Sequence, residues 1–454
     1  MTLHKSGLLL TGLAVCVALA ACTPATSVRD SANSDTSSVI QGGKASNRAP
    51  IQAGWWQKFN DPLMTSLIQE ALQASPDIKT AQASLRAARA QRVIAGASLL
   101  PGLSAGMSGR NTDSKESYSA NLDASWELDI FGGNRLASSA ANADLQATQA
   151  SLEDVKASLA AEVASSYVNL RLAQARLAVS RQSLAARNET ARLITLKQQA
   201  GLASGLEADQ ANLSLGQSQA QIPALENTVT QSQHALAILT GKPPEALVSR
   251  LASGGAIPSA AVQLANNIPA NAIRQRPDIR AAEYKVQAAS LRVGEAQANR
   301  YPSFNLGGSL SYSSVSFSDL FDPANIARSL LASISAPLFD GGKLKQQVVA
   351  KDAAREQAVA SYQKAVLVAL QDVANAFSSL QAQAQQRPIL ANNLELARSA
   401  EKLAKLSFDA GTADFQNVLD AQRNTLSAQE SLLAVQAENT QSLISLYKAV
   451  GGAW

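Results

Sequence analysis

Residues 134–200 read NRLASSA ANADLQATQA SLEDVKASLA AEVASSYVNL RLAQARLAVS RQSLAARNET ARLITLKQQA, 67 residues without one Gly or Pro. As a single helix rising about 1.5 Å per residue, the stretch is about 100 Å long. No compact globular domain has room for it, since helices of ordinary domains average about three turns. Glu153, Asp154, Lys156, Glu162, Arg171 and Arg176 make it too polar to lie in lipid. It is therefore a rod. Leu145, Leu152 and Leu159 repeat every seven residues, and the phase then jumps by four to Val163, Leu170, Leu177 and Leu184. Such a seam predicts neighbouring helices in a left-handed coiled coil with one local unwinding. The Ala and Ser between the leucines let those neighbours approach closely. Taken alone, the stretch also fits a long scaffold coiled coil.

Outward from the rod, the chain contains itself twice. Ser75-Pro76-Asp77-Ile78 recurs as Arg276-Pro277-Asp278-Ile279, and Leu100-Pro101 as Tyr301-Pro302, both at an offset of 201. Phe131-Gly132-Gly133 recurs in Phe339-Asp340-Gly341-Gly342 at 208 or 209. Beyond it the offset stays at 210, matching Tyr167 to Phe377, Ala200-Gly201-Leu202 to Ala410-Gly411-Thr412, and Gly241 to Gly451. The added residues belong to one loop between the prolines and the double glycines. The copies occupy residues 55–259 and 260–454. Each has a short helix (62–74; 261–275) and a medium helix opened by Pro-Asp (76–99; 277–300). An alternating segment follows, then a long helix (134–200; about 340–410), a glycine tip and a returning helix. Pro388 is expected to interrupt and kink the second long helix, and Pro223 the first returning helix.

The alternating segments decide what the rods are attached to. Tyr118, Ala120, Leu122, Ala124, Trp126 and Leu128 point one way, while Ser119, Asn121, Asp123, Ser125 and Glu127 point the other. Phe304, Leu306, Gly308, Leu310 and Tyr312 oppose Asn305, Gly307, Ser309, Ser311 and Ser313, and Leu330, Ala332, Ile334 and Ala336 oppose Ser329, Leu331, Ser333 and Ser335. Strands are thus predicted over about 103–112, 118–128, 303–314 and 328–337. An apolar outside, a polar inside and terminal aromatics mark transmembrane strands, although a soluble antiparallel sheet with one wet face shares the alternation. Four strands cannot close a barrel, and an open edge cannot face lipid. A membrane chain of this kind must oligomerise, with two copies giving about eight strands or three giving about twelve. The monomer is excluded and the choice between the two stays open. Asp123 and Glu127 on the polar side suit a water-filled passage.

The N-terminus places the chain in a compartment. Lys5 and the apolar run from Leu8 to Ala18 form a secretory signal, too short for a stable transmembrane helix. It ends Leu19-Ala20-Ala21-Cys22, which resembles a bacterial lipobox. The resemblance implies that residues 1–21 are removed and that Cys22 carries covalent lipid. Thr23, in place of the Asp that retains lipoproteins in the inner membrane, implies outer-membrane sorting. Residues 22–54 are rich in Ser, Asn, Thr and Gly and read as a lipidated tether. With Cys16 lost, one cysteine is left and no disulfide within a protomer is possible. The composition is 46% hydrophobic and only 4% aromatic, and the net charge is +4 with no basic block. Nucleic-acid binding therefore has no electrostatic footprint. His234 is the one histidine beyond the signal, so a His-based triad, a metal site or a thiol nucleophile is not expected. No phosphate-binding glycine loop is present. The chain is read as no enzyme, with no cofactor beyond the lipid on Cys22.

At this point the chain resembles the TolC-like outer-membrane factors, and within them the lipoprotein branch that serves resistance-nodulation-division pumps. The resemblance is carried by Trp55-Trp56, Phe59-Asn60-Asp61-Pro62-Leu63, the paired Pro-Asp-Ile motifs, Asp129-Ile130-Phe131-Gly132-Gly133 and Leu419-Asp420-Ala421-Gln422-Arg423. The ending Leu446-Tyr447-Lys448-Ala449-Val450-Gly451-Gly452-Ala453-Trp454 is the most specific of them. It implies a mainly α protein with transmembrane β, a trimer whose strands close one outer-membrane barrel continued by a periplasmic α-helical tunnel. Medium and returning helices would stack end to end beside each long helix. The function implied is a passive exit duct for drugs or other small molecules, driven by an inner-membrane transporter through a periplasmic adaptor. Ala200, Gly201, Leu202, Ala410, Gly411 and Thr412 match the tips that dock the adaptor. Asp420 matches a gate aspartate, Arg423 follows it one turn on, and Glu207 stands at the position of an acidic partner. Phe408, Ala413 and Asn417 depart from a Tyr, an Arg and an Asp of TolC, so its interhelical links cannot all form. Two other readings compete: the channel of a type I protein-secretion system, and a non-conducting lipid-anchored scaffold.

Overall fold

The computed structural model describes residues 54–112, 115–260 and 273–451. The signal, Cys22, the tether, most of the short helix predicted over 261–275, and Gly452 to Trp454 lie outside the described residues. The first repeat runs α1 (Pro62–Ala74), α2 (Pro76–Ala97), β1 (Gly102–Thr112), β2 (Lys115–Leu128), α3 (Gly133–Gln199) and α4 (Gly205–Leu239). The second runs α5 (Pro277–Ala298), β3 (Ser303–Ser314), β4 (Ile326–Ser335), α6 (Lys343–Asp409) and α7 (Phe415–Ala449). Among the described residues, no helix is long and apolar enough to cross a membrane.

The four strands form one antiparallel sheet in the order β1-β2-β3-β4. β2 starts before the predicted 118, because Lys115, Glu116 and Ser117 pair with Thr112, Asn111 and Arg110 although their side chains give no apolar alternation. β4 is shifted towards the N-terminus of its predicted span. Ile326 pairs with Tyr312, and the strand ends at Ser335, so Ala336 lies outside it. Pro337 follows at once and has no N–H to extend the ladder.

Each sheet end is welded to a long helix by an aspartate. Asp129 accepts the amides of Asn134 and Arg135 at 3.0 and 2.9 Å, and Asp340 accepts those of Gly342 and Leu344 at 2.8 Å. Both satisfy donors that the first turn of a helix leaves free. The bonds from Leu344 and then Gly342 hold the Asp340 carboxyl below its ordinary range.

α3 is the spine of the protomer, flanked by α1, α2, α4, α5 and α7. In its seam Leu152, Leu159, Val163 and Leu170 are buried, while Leu145, Leu177 and Leu184 are half-buried. Burying such a side chain stabilises by about 1.5–3 kcal/mol. At mid-height Trp55, Phe59, Met64, Leu67, Ile68, Tyr167, Leu236, Ile444 and Tyr447 share one core. Trp55 stacks on Tyr447 with ring centroids 5.4 Å apart. Asp61 caps α1 through the Met64 amide at 2.9 Å and accepts the Tyr167 hydroxyl at 2.9 Å, tying the start of α1 to α3. Returning and medium helices meet end to end. Gly241, past the end of α4 with φ of 72°, lies so close to Ala74 that a Cβ there would stand 2.7 Å from its carbonyl oxygen. Gly451, past α7 with φ of 67°, faces Arg276 more loosely, since a Cβ there would stand 3.6 Å from its Cα, an ordinary contact.

Neither interior proline ends its helix, contrary to the interruption expected at Pro388. α6 runs through Pro388 and α4 through Pro223 without a break. Proline frees the carbonyl four residues earlier. Those carbonyls belong to Ala384 and Gln219, both exposed, where water can take over the missing bond.

Candidate functional site

The sheet sorts its residues by face. Register puts Leu103, Ala105 and Met107 beside Ala124, Leu122 and Ala120, and then Gly308, Leu310 and Tyr312, on one apolar face. The other face carries Ser104, Ser108, Ser119, Asn121, Asp123, Ser125, Ser309 and Ser329. Hydroxyls bridge neighbouring strands there, Ser108 to Ser119 at 2.8 Å and Ser309 to Ser329 at 2.6 Å, and Asn121 donates to Asp123. Leu331 is an apolar exception. Charge is graded along this face, with Arg110 and Lys115 at the hairpin end and Asp123 and Glu127 toward the helices. Such a surface wets readily, and its acidic end attracts cations.

At the far end of the helices, both tips close by the same hydrogen-bonding motif. Gly201, with φ of 71°, donates to the Gln198 carbonyl at 2.9 Å, and Leu202 to that of Lys197 at 2.7 Å. Gly411, with φ of 68°, donates to Phe408 at 3.0 Å, and Thr412 to Ser407 at 2.9 Å. Paired bonds of this kind close a helix through a left-handed residue that glycine adopts without penalty. A Cβ on either glycine would meet nothing within 4 Å. Leu202 is 77% exposed. The tips are thus tightly turned and sterically bare.

Above the tips lies a polar layer. Asp420 is exposed and accepts from Gln416 at 3.1 Å and from Arg423 at 3.4 Å. Glu207 stands apart from them: its Oε2 accepts from the Ser204 amide at 2.7 Å while its own amide donates to Ser204 Oγ at 3.2 Å. That capping box starts α4 and engages the acid at its own helix end. Arg187 is buried against α4, donating to Ser214 Oγ at 3.0 Å. Burial first, and then Arg423, hold its guanidinium below its ordinary value. A link the sequence did not reveal joins the two long helices. Lys197 Nζ lies 3.4 Å from Asp409 Oδ1 and 4.6 Å from the centre of the Phe408 ring, and Phe408 packs on Phe415 at 5.3 Å. No spacing rule pairs residues so far apart. Only the repeat alignment puts both just above a tip. Among the described residues no cluster of His, Cys, Asp and Glu is placed to hold a metal.

The family profile described as outer membrane efflux protein matches residues 67–242 and 268–452. The pyoverdine export outer membrane protein OpmQ of Pseudomonas putida is 31% identical over 417 residues, covering 88% of each chain. The toluene efflux pump outer membrane protein TtgI, also of Pseudomonas putida, is 29% identical over 413 residues, covering 87% of this chain and 86% of its own. The solved structure of the outer-membrane channel OprN superposes with a TM-score of 0.82 at 31% identity, covering 91% of this chain and 95% of that one.

Proposed function

The chain belongs to the outer membrane efflux protein family, and from that premise we propose that three copies form an exit duct through the outer membrane and periplasm. One observation carries this reading. A sheet with one apolar and one polar face ends at β1 and β4, which have no strand partner among the described residues. Such edges have no place in lipid. Copies of the same chain complete the sheet, and its polar face then lines water. The long helices continue that passage for about 100 Å. Small-molecule traffic is favoured over protein secretion because the relatives are named for pyoverdine export and toluene efflux.

No catalytic group enters the mechanism, and the duct is passive. Energy comes from an inner-membrane transporter, coupled through a periplasmic adaptor whose hairpins seat on Ala200, Gly201 and Leu202 and on Ala410, Gly411 and Thr412. Asp420 and Arg423, repeated about the axis, form the periplasmic constriction, while Glu207 holds the start of α4. Acyl chains on Cys22 anchor the assembly to the outer membrane, and no other cofactor is needed.

The test is planar-bilayer conductance of the purified, acylated protein together with its mass in detergent. Discrete cation-selective openings from a three-chain particle are expected, and Asp420→Ala should alter their size or selectivity. A protein that never inserts would overturn the duct. Replacing Gly201 and Gly411 with Trp should abolish efflux in cells while leaving the assembled particle in the membrane. Undiminished efflux would remove docking from the tips.

A further inference from the structure

The loop joining β3 to β4, residues 315–325, exposes Val315, Phe317 and Phe321, at 75, 59 and 62%. Its phenylalanines do not turn toward the polar face. Phe317 packs edge-on against Tyr118 at 5.5 Å and Phe321 against Tyr312 at 5.7 Å. Both tyrosines stand on the apolar face of the sheet. The loop therefore folds outward, and its carboxylates are occupied: Asp319 accepts from Ser318 at 2.9 Å and Asp322 from the Ala324 amide at 2.8 Å.

Beside it, on the same apolar face, stands a cation. Arg328 pairs across the sheet with Leu310 and is followed on its face by Leu330, which is 80% exposed. Arg328 is exposed and makes no hydrogen bond or ion pair among the described residues. A charge on a lipid-facing strand is costly at the bilayer midplane and nearly free at the interface. Arg328 lies two residues from the strand's start, about 7 Å along it, at the loop end of the sheet and away from its middle. A guanidinium held there matches phosphate through two parallel donors.

We propose that Arg328, Phe317 and Phe321 form a binding site on the outside of the barrel for a phosphorylated glycolipid of the outer leaflet. The phosphate sits on Arg328, sugar rings lie against the exposed phenylalanines, and acyl chains run down Leu310 and Leu330. The inference rests on the proposed barrel, with the loop end facing outward and the helices in the periplasm. A rival partner is Glu116 of a neighbouring copy, which the repeat offset brings to the same rim. Glu116 already accepts from Tyr118 at 3.3 Å and Asn111 at 3.5 Å within its own chain.

Native mass spectrometry of the full-length, acylated particle, loaded with bisphosphorylated or dephosphorylated lipid A, tests the site. Wild type should retain the bisphosphorylated form, Arg328→Gln should lose about tenfold in retention, and Arg328→Lys should fall between, since it keeps charge without the paired donors. Dephosphorylation should reproduce the loss in wild type and add nothing in Arg328→Gln. Equal retention by wild type and Arg328→Gln, or indifference to phosphate, would overturn the site. So would Glu116→Gln matching Arg328→Gln in thermal stability of the assembly with no lipid effect from either. The same spectra count the chains, so a failure of assembly is read from mass and a failure of the site from bound lipid.

Discussion

α3 and α6 are equal in length, 67 residues each, yet α3 buries 20 side chains within the protomer and α6 only six. The difference lies in neighbours, not in residue type. Ala140, Ala143 and Ala150 are buried at 2, 2 and 1% exposure. Their counterparts at the repeat offset of 210, Ala350, Ala353 and Ala360, are the same residue and are exposed. A stripe of small residues permits close helix packing, but in α6 no described residue of the same chain covers it. Leu367, Leu396, Leu403 and Leu406 are bare as well, at 56 to 62%. On α2, Val93 and Ile94 are 68 and 61% exposed. Two repeats of one design thus differ in where their partner comes from. The long helix of the first repeat is covered mostly by its own chain, while that of the second presents its stripe to whatever packs from outside the protomer.

The same charge placed in both stripes should separate the two long helices most strongly. Ala143→Glu buries an unpaired carboxylate inside the protomer, a cost of about 3–5 kcal/mol, and should leave no folded chain by circular dichroism. Ala353→Glu should leave a helical protomer that no longer assembles, read from mass in detergent. Unchanged assembly would show that α6 stays bare.

A smaller effect is expected where the repeats diverge at the start of their medium helices. Ser75 opens α2, whereas Arg276 opens α5 and reaches Asp278 at 2.8 Å, Asp372 at 3.2 Å and the Ala449 carbonyl at 3.2 Å. Arg276→Ser gives the second repeat the first's residue and strands two carboxylates. Both are partly hydrated, so the loss should be about 1–2 kcal/mol, seen as a lower melting temperature. No change would mean that the end-to-end junction holds without the cation.

The smallest effect belongs to Tyr167, whose repeat counterpart is Phe377. Tyr167 is fully buried, and burial first pushes its phenol from 10.0 up to about 12. The fold therefore favours the protonated phenol. That contribution is whole below pH 10 and is lost as pH rises from 10 through about 12. Tyr167→Phe should cost about 1 kcal/mol at neutral pH and remove this share of the alkaline loss, which denaturant melts across that range would report.

Much of this was legible because it depends on periodicity. The leucine seam, the strand alternation and the glycine tips are all written in spacing, and glycine in a left-handed turn announces itself. Proline misled because the cost of a lost helical bond depends on whether water reaches the freed carbonyl, which spacing does not encode. Glu207 is a capping-box acid, and the Ser204-x-x-Glu207 spacing that opens α4 was the sequence signal for it. Lys197 and Asp409 come together because two helices end side by side, a fact of packing. The burial of Ala143 and the exposure of Ala353 could not have been told apart at all, since the sequence around a residue does not say which chain will cover it.

The carboxylates at the tops of the long helices have a mechanical side. Asp129 and Asp340 fix one end of each rod to the sheet by two backbone bonds, and the free end lies about 100 Å away. The mid-height core also grips α3 around Tyr167, about 50 Å from the tip, and a tilt of about 5° about that grip sweeps the tip sideways by about 4 Å. Side-chain bonds at the hinge stretch little under such a rotation, while the Lys197–Asp409 contact at the other end would be pulled well out of reach. Below that core each long helix is a lever arm, and a weak force applied at its tip works with the mechanical advantage of that arm.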